Sequence, residues 1–558
     1  MKDIDLFQFQ IEYMRKLTHI KTLLDKQANT VNPQSIQAFQ NSMMEVGMKF
    51  FQNITQNPQH FMDAQAQFLN NFNDTKAKTS GYSRYFKSDM WNTIPYFQWI
   101  KDCYIKSAEW IIEIAEDETI GFEAKDRKKL LFFMHQWIDS LNPRNFPMTN
   151  PEIIAETLKT NGQNLLDGLD NFIADIERGG ISMTKMDAFT IGENIANTAG
   201  DIIFKNDIME LIHYHPTTQT VFKEPIVIIP PWINKYYILD LNPDKSFIKW
   251  LVDQGHSVFC ISWRNPDKSM RDIGFKDYMH DGALRAIEIA NDIHDTKQAN
   301  VIGYCIGGTL LSMTMAWLAG KGITSPIHTA TCLTTLLDFE NAGDLKVFID
   351  SDQIESLNKA MIENGILDGK TMGATFAMLR APDLIWNFMI NNYMLGREPE
   401  PFDLLYWNSD STNIPASMMH DYLSNLYLDN ALANGTYKLD GVILDLKSIQ
   451  TPSYFLATQD DHIAPCESCY AGAQLFGTTP EFVIGGSGHI AGVINPPHKN
   501  KYGYTVKNKR HDGSWWCHWN KWIISRNQNK TLDVNILTRG DRYRELYSAP
   551  GQYVLKKI

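Results

Sequence analysis

Three side chains of this sequence have the types and spacing for covalent acyl chemistry: Cys305, Asp461 and His489. Cys305 lies in ANVIGYCIGGTL, residues 299–310, after a short apolar stretch and among Gly303, Gly307 and Gly308. That arrangement predicts a sharp turn from strand to helix, with a strained central residue and small neighbours that let the two elements approach closely. Hydrolases use such a turn to present a serine. Here the group presented is a thiol, read either as a nucleophile or as a small buried residue of a tight turn. The next segment, TLLSMTMAWLAG, reads as a helix whose N-terminus favours negative charge on the sulfur.

An acid and a base follow in the order that an α/β-hydrolase requires. PSYFLATQDDHIAP is an apolar strand ending in two aspartates, and EFVIGGSGHIAGV is another ending in a histidine. Asp461 is the chosen acid because of its spacing to Pro465, with Asp460 the alternative and otherwise a turn residue. His462 adjoins the acid and is poorly placed to serve it, whereas His489 follows a flexible Gly485-Gly486-Ser487-Gly488 lead-in. His489 would take a proton from the Cys305 thiol or an incoming hydroxyl and return it to a leaving group. Asp461 would either orient the imidazole or help to activate the hydroxyl. The oxyanion needs backbone N–H donors: Ile306 is one, and Ile233, or else Trp232, is the other. A thiolate exchanges with thioesters at little net cost, which suits acyl transfer better than hydrolysis.

The elements that must hold these groups divide the chain in two. The first ~200 residues read as helices, with Phe61, Ala64, Phe68 and Phe72 at helical spacing. They suit packing on other helices first and a partner or apolar surface second. From about residue 205, IMELIHYH, PIVIIPPW, HSVFCISW and ANVIGYC alternate with helical segments such as YMHDGALRAIEIANDIHD. Strand alternating with helix predicts parallel βαβ units. The expected organisation is a helical domain over 1–200 and an α/β-hydrolase catalytic domain over 201–558. An aromatic cap is inserted in the latter at about 340–440, although a separate helical domain there is the alternative. Cys466-Glu467-Ser468-Cys469 reads as structural, and the tryptophans of GSWWCHWNKW as packing. Asp240 either holds the loop after the second strand or caps a helix.

The formal net charge of −12 argues against nucleic acid as the main partner, because phosphate binding needs a basic surface. Seven scattered cysteines fit reduced thiols better than a disulfide framework. The opening MKDIDLFQFQIEYMRK has no apolar run of the secretory kind. Stretches such as IVIIPPW fall far short of the roughly 20 residues of a membrane helix. A cytoplasmic protein without transmembrane segments is expected, with no metal and no separate cofactor.

Several stretches together resemble the polyhydroxyalkanoate synthases, in the single-polypeptide, short-chain class (class I). They are PPWINKYYILDL, the lipase-like box GYCIGG, NNYMLGREPEPFDLLYWNSDSTN, DDHIAP and GGSGHIAGVINPP. Trp91, Pro95, Phe97, Trp110 and LNPRNFPMTNPE add to them in the N-terminal half. The resemblance runs from about residue 80 to about 530. It places the family's nucleophile, aspartate and histidine on Cys305, Asp461 and His489. It implies polymerisation of (R)-3-hydroxyacyl-CoA, with 3-hydroxybutyryl-CoA the expected monomer, on a Cys305 thioester with release of coenzyme A. It further implies a homodimer on the surface of storage granules, in company with granule-associated proteins. A cysteine thioesterase or esterase of the same fold is the second reading. A granule-binding scaffold is the third, and would be expected to carry a degraded triad.

Overall fold

The computed structural model describes residues 6–28, 33–56, 58–72, 81–118, 121–527, 530–537 and 540–558. The chain forms two compact units, Met1–Lys185 with Thr375–Pro401, and Met186–Ala374 with Phe402–Ile558. Residues 186–199, on the helical side of the boundary expected at 200, sort with the sheet. Residues 375–401, inside the expected cap, sort with the helices.

The first unit is built on α1 (Leu6–Ala28), α2 (Pro33–Gln56), α3 (Pro58–Phe72), α4 (Met90–Thr93), α5 (Pro95–Glu116), α6 (Ala124–Ser140), α7 (Pro151–Lys159) and α8 (Gln163–Arg178). Proline opens α5 and α7, where its fixed φ suits the first turn and its missing N–H costs nothing. The Asn150 side chain caps α7 by accepting the Glu152 N–H at 2.9 Å. Phe61 and Phe68 of α3 meet Trp110 of α5 at 6.0 and 4.9 Å between ring centroids, so the aromatic stripe is a packing face. Residues 375–401 join this unit because polar side chains of α8 take up its backbone. Asn164 donates to the Met394 carbonyl and Asn171 to that of Asn392.

The second unit carries one eleven-stranded sheet. Its strands are β1 (Gly200–Lys205), β2 (Met209–Tyr214), β3 (Ile226–Ile229), β4 (Val258–Trp263), β5 (Ala299–Tyr304), β6 (Ile327–Leu333), β7 (Ser453–Thr458), β8 (Glu481–Gly485), β9 (Tyr504–Val506), β10 (Lys509–His511) and β11 (Tyr547–Ser548). Their order is β10-β9-β8-β7-β6-β5-β3-β4-β2-β1-β11. The stretch from β8 to β4 is parallel, and antiparallel strands extend it on both sides. β3 and β5 are buried along their whole length, which is why β3 reads as an unbroken apolar run and β5 as one interrupted by the buried Asn300. The helix α9 (Ile306–Gly320) is buried from Ile306 to Leu318, so it is apolar all round. Because β5, β7 and β8 run parallel, their C-terminal ends bring Cys305, Asp461 and His489 to one edge of the sheet.

Near the opposite, N-terminal ends of these strands, two buried histidines are held neutral. His294 Nδ1 donates to the Lys223 carbonyl at 3.0 Å, and its Nε2 meets the Ser257 hydroxyl at 2.8 Å. His256 Nε2 meets Asn520 Oδ1 at 2.8 Å. Burial pushes both imidazoles down to about 4 from an ordinary 6.5. Their contribution to stability is complete above pH 6.5 and is lost as pH falls from 6.5 toward 4. Replacing His294 with Asn should therefore flatten the fall of the thermal midpoint across that interval. An unchanged pH slope in the variant would show that the acid sensitivity arises elsewhere.

Candidate active site

Cys305 joins β5 to α9 at φ 53° and ψ −124°, a conformation that costs a side-chain-bearing residue about 1–3 kcal/mol. The surroundings enforce it. A Cβ added at Gly307 would overlap the Ile229 carbonyl at the end of β3, and one at Gly308 would overlap the Thr335 side chain. The Cys305 N–H donates to the Leu333 carbonyl of β6 at 2.9 Å, and its own carbonyl accepts the Gly308 N–H at 2.9 Å. The thiol is left partly exposed at the head of α9. The N–H of Ile306 belongs to the first helical turn, whose donors have no partner within the helix.

His489 Nδ1 donates to Asp461 Oδ2 at 2.7 Å, and Cys305 lies within hydrogen-bond reach of the same ring. Asp461 accepts three further bonds: from the Ile463 and Ala464 N–H groups at 2.9 and 2.8 Å, and from the Thr458 hydroxyl at 3.2 Å. Burial alone would push His489 down. The Asp461 carboxylate, and after it Cys305, outweigh burial and hold the imidazole up at about 10. Burial likewise opposes the Asp461 charge, but His489 and the backbone N–H groups hold that carboxyl below its usual range.

The imidazole is also braced from behind. The Tyr304 ring stacks on it at 5.8 Å, and the Tyr304 hydroxyl donates to the His489 carbonyl at 3.3 Å. The indole N–H groups of Trp515 and Trp516 donate to the Gly492 and Val493 carbonyls at 3.0 and 2.9 Å, securing the loop beyond it. These tryptophans open the helix α10 (Trp515–Arg526) and are buried. They are packing residues, as their clustering suggests, and they also fix the loop that follows His489.

The remaining candidates fall into place around this edge. Asp460 is exposed, and its N–H donates to the Ser487 carbonyl at 3.0 Å, a turn role. The His462 carbonyl accepts the Asp344 N–H at 3.1 Å. Ile233 and Trp232 lie on the loop after β3. The Trp232 ring is wedged against Trp263, Phe275 and Tyr278 at 5.9, 5.8 and 4.7 Å, so it anchors that loop. Asp240 is buried and accepts from the Ser246 hydroxyl at 2.6 Å and the Thr198 N–H at 3.2 Å. The helix cap itself is Ser246, which accepts the Lys249 N–H at 2.8 Å. Cys466 and Cys469 are free thiols, and burial pushes both up. No local pattern marks Tyr422 and Tyr427 in the sequence. Yet these buried rings contact each other and Phe339, within electrostatic reach of Cys305. Among the described residues no cluster of three or more His, Cys, Asp or Glu could hold a metal ion, and no helix is long and apolar enough to cross a membrane.

Residues 82–251 match the family described as poly-beta-hydroxybutyrate polymerase (PhaC) N-terminus, and residues 224–496 match the alpha/beta hydrolase fold. Over 485 residues the chain is 44% identical to the poly(3-hydroxyalkanoate) polymerase of Methylorubrum extorquens, covering 84% of this chain and 80% of that one. It is 40% identical over 529 residues to the polymerase subunit PhaC of Rhizobium meliloti, covering 89% and 86%. The same subunit of Cupriavidus necator is 38% identical over 530 residues, covering 90% and 89%. The chain belongs to the poly(3-hydroxyalkanoate) polymerases. The N-terminal family match begins at residue 82, close to where the recognisable motifs begin.

In this polymerase the buried Asp461–His489 pair has a defined pH window. His489 is raised from an ordinary 6.5, so its share of stability is complete below pH 6.5 and is lost as pH rises toward about 10. Asp461 is lowered from 3.8, so its share is present above that value and is lost as pH falls below it. Asp461→Asn should therefore lower the thermal midpoint most between pH 3.8 and 6.5 and progressively less toward pH 10. A deficit that stays constant from pH 6.5 to 10 would mean that the imidazole is neutral in the folded protein.

Proposed function

We propose that the polymerase grows its polyester as an acyl thioester on Cys305, taking (R)-3-hydroxyacyl-CoA and in particular 3-hydroxybutyryl-CoA. One observation carries this reading: a thiol on a strained strand-to-helix turn within reach of an imidazole that a buried carboxylate holds in place. His489 draws the proton from Cys305, and the thiolate attacks the thioester carbonyl. The resulting oxyanion is met by the N–H of Ile306 and by a second N–H from the loop after β3, at Ile233. Coenzyme A leaves as its thiol, taking the proton from His489.

For elongation, His489 deprotonates the 3-hydroxyl of the next hydroxyacyl-CoA, which attacks the Cys305 thioester. The new ester leaves as a chain-bearing CoA thioester, and Cys305 regains its proton. That thioester then re-acylates Cys305 and releases coenzyme A, so each cycle makes one ester bond and frees one thiol. Asp461 accepts four hydrogen bonds, one of them from His489. This saturation favours the orienting role over direct activation of the hydroxyl. No step calls for a metal or a separate cofactor, because coenzyme A arrives as part of the substrate. The family resemblance further supports a cytoplasmic homodimer working on a polymer granule, with granule-associated proteins as neighbours.

Supplying 3-hydroxybutyryl-CoA should give thiol release together with turbidity from insoluble polyester, and Cys305→Ala should abolish both. Thiol release into clear solution with free hydroxy acid would assign the chain to the thioesterases, and no release from the wild type would make it a scaffold. Full activity in Cys305→Ala would sink the covalent scheme. A monomer at working concentration in sedimentation would remove the dimer from it.

A further inference from the structure

The loop after β3 is clamped almost residue by residue to one short stretch of the insertion, residues 403–412. The Trp232 carbonyl accepts the Thr412 hydroxyl at 2.5 Å, and the Ile233 carbonyl accepts the Thr412 N–H at 3.4 Å. Asn234 and Ser411 form an antiparallel bridge. The Lys235 carbonyl accepts the Trp407 indole N–H at 2.7 Å. The Lys235 ammonium, buried with its partner, meets Asp410 Oδ1 at 2.6 Å, and the Tyr237 hydroxyl donates to Asp410 Oδ2 at 2.7 Å. Farther along, Lys245 and Asn242 both donate to Asp403, at 2.7 and 2.5 Å. Neither the Lys235–Asp410 pair nor Thr412 has a part in the proton transfers at Cys305.

These bonds fix the backbone of a buried loop at one residue after another. An ion pair taken out of water is a poor source of net stability, but removing one partner leaves the other charge stranded and forces its backbone to move. The backbone attached to Lys235 is the loop that carries the second oxyanion donor, two residues upstream. A donor works only when it is held about 2.7–3.1 Å from the developing oxyanion.

We propose that Asp410 is the positioning residue of the oxyanion loop, acting through Lys235. Acyl transfer at Cys305 then requires residues 403–412 to be seated on residues 232–237. Segment 403–412 comes from the insertion, whereas Cys305 and His489 come from the sheet, so the clamp links the seating of one to the competence of the other. This inference rests on the Cys305 reading and on the placement of the second donor on this loop.

The test exploits a difference between two reactions of the same thiol. Alkylation by iodoacetamide attacks a saturated carbon and forms no oxyanion, whereas acyl transfer must form one. Asp410→Asn should leave the rate at which iodoacetamide abolishes activity within about twofold of wild type, and KM likewise. It should lower kcat by about 5- to 100-fold, less than the loss from deleting a donor outright. Thr412→Val, which keeps the ion pair and removes only the hydroxyl on the Trp232 carbonyl, should shift kcat in the same direction. Lys235→Arg should retain more kcat than Lys235→Met. If Asp410→Asn does not fold, the Thr412 and Lys235 variants decide the question. Wild-type kcat in these variants, or parallel losses of alkylation rate and kcat, would overturn the proposal. Activity surviving in Cys305→Ala would instead overturn the reading beneath it.

Discussion

Holding Cys305 at φ 53° is the constraint on which the rest of the chemistry depends. A side chain in that conformation is unfavourable by about 1–3 kcal/mol, so the turn persists only where the surrounding packing leaves no alternative. Here it is over-determined. β5 lies between β3 and β6, α9 is buried through most of its length, and the glycines after the cysteine touch the Ile229 carbonyl and Thr335. Relaxing the turn would drive the helix out of the sheet. The burial of the whole central region therefore keeps one thiol facing outward at the strand ends.

Charge is managed with equal economy. A carboxylate withdrawn from water needs several donors, and Asp461 has two backbone N–H groups, a threonine hydroxyl and the imidazole. Satisfied in this way it stays ionised, and an ionised Asp461 raises the proton affinity of the neighbouring imidazole despite its burial, as drawing a proton from a thiol requires. Tyr304 stacks on the ring, and the Trp515–Trp516 pair anchors the loop beyond it. The acid supplies the field and the aromatic side chains supply the aim.

The grouping of Cys305, Asp461 and His489 at one sheet edge was legible in the sequence because each carries a local mark. Glycines flank Cys305, a proline follows Asp461 at fixed spacing, and a glycine-rich lead precedes His489. The unbroken apolar run of β3 and the nearly apolar β5 marked a sheet covered on both faces. IMELIHYH was legible as a strand but reads as part of the parallel set, whereas β2 runs antiparallel to both β1 and β4; β10 and β11 span only Lys509–His511 and Tyr547–Ser548, too short to show alternation. Also not visible was the sorting of residues 375–401 with the helices, which is settled by amide side chains such as Asn164 and Asn171 meeting backbone far along the chain. Tyr304 read only as an aromatic beside the nucleophile, and its support of His489 needed the fold to appear. Lys235, Asp410 and Thr412 were hidden for the same reason, since no local pattern announces a contact across some 175 residues.

The tryptophan helix near the end of the chain adds an element of timing. His489 stands on a loop whose carbonyls are tied down by Trp515 and Trp516, and both indoles lie downstream of everything they secure. While the chain is being made, the nucleophile, the strands around it and the carboxylate all emerge before the parts that lock the base. A nascent chain holding Cys305, Asp461 and His489 thus still lacks the indole anchors of the loop beyond His489. Assembly order leaves the His489 loop without its indole anchors until residues 515 and 516 have been made.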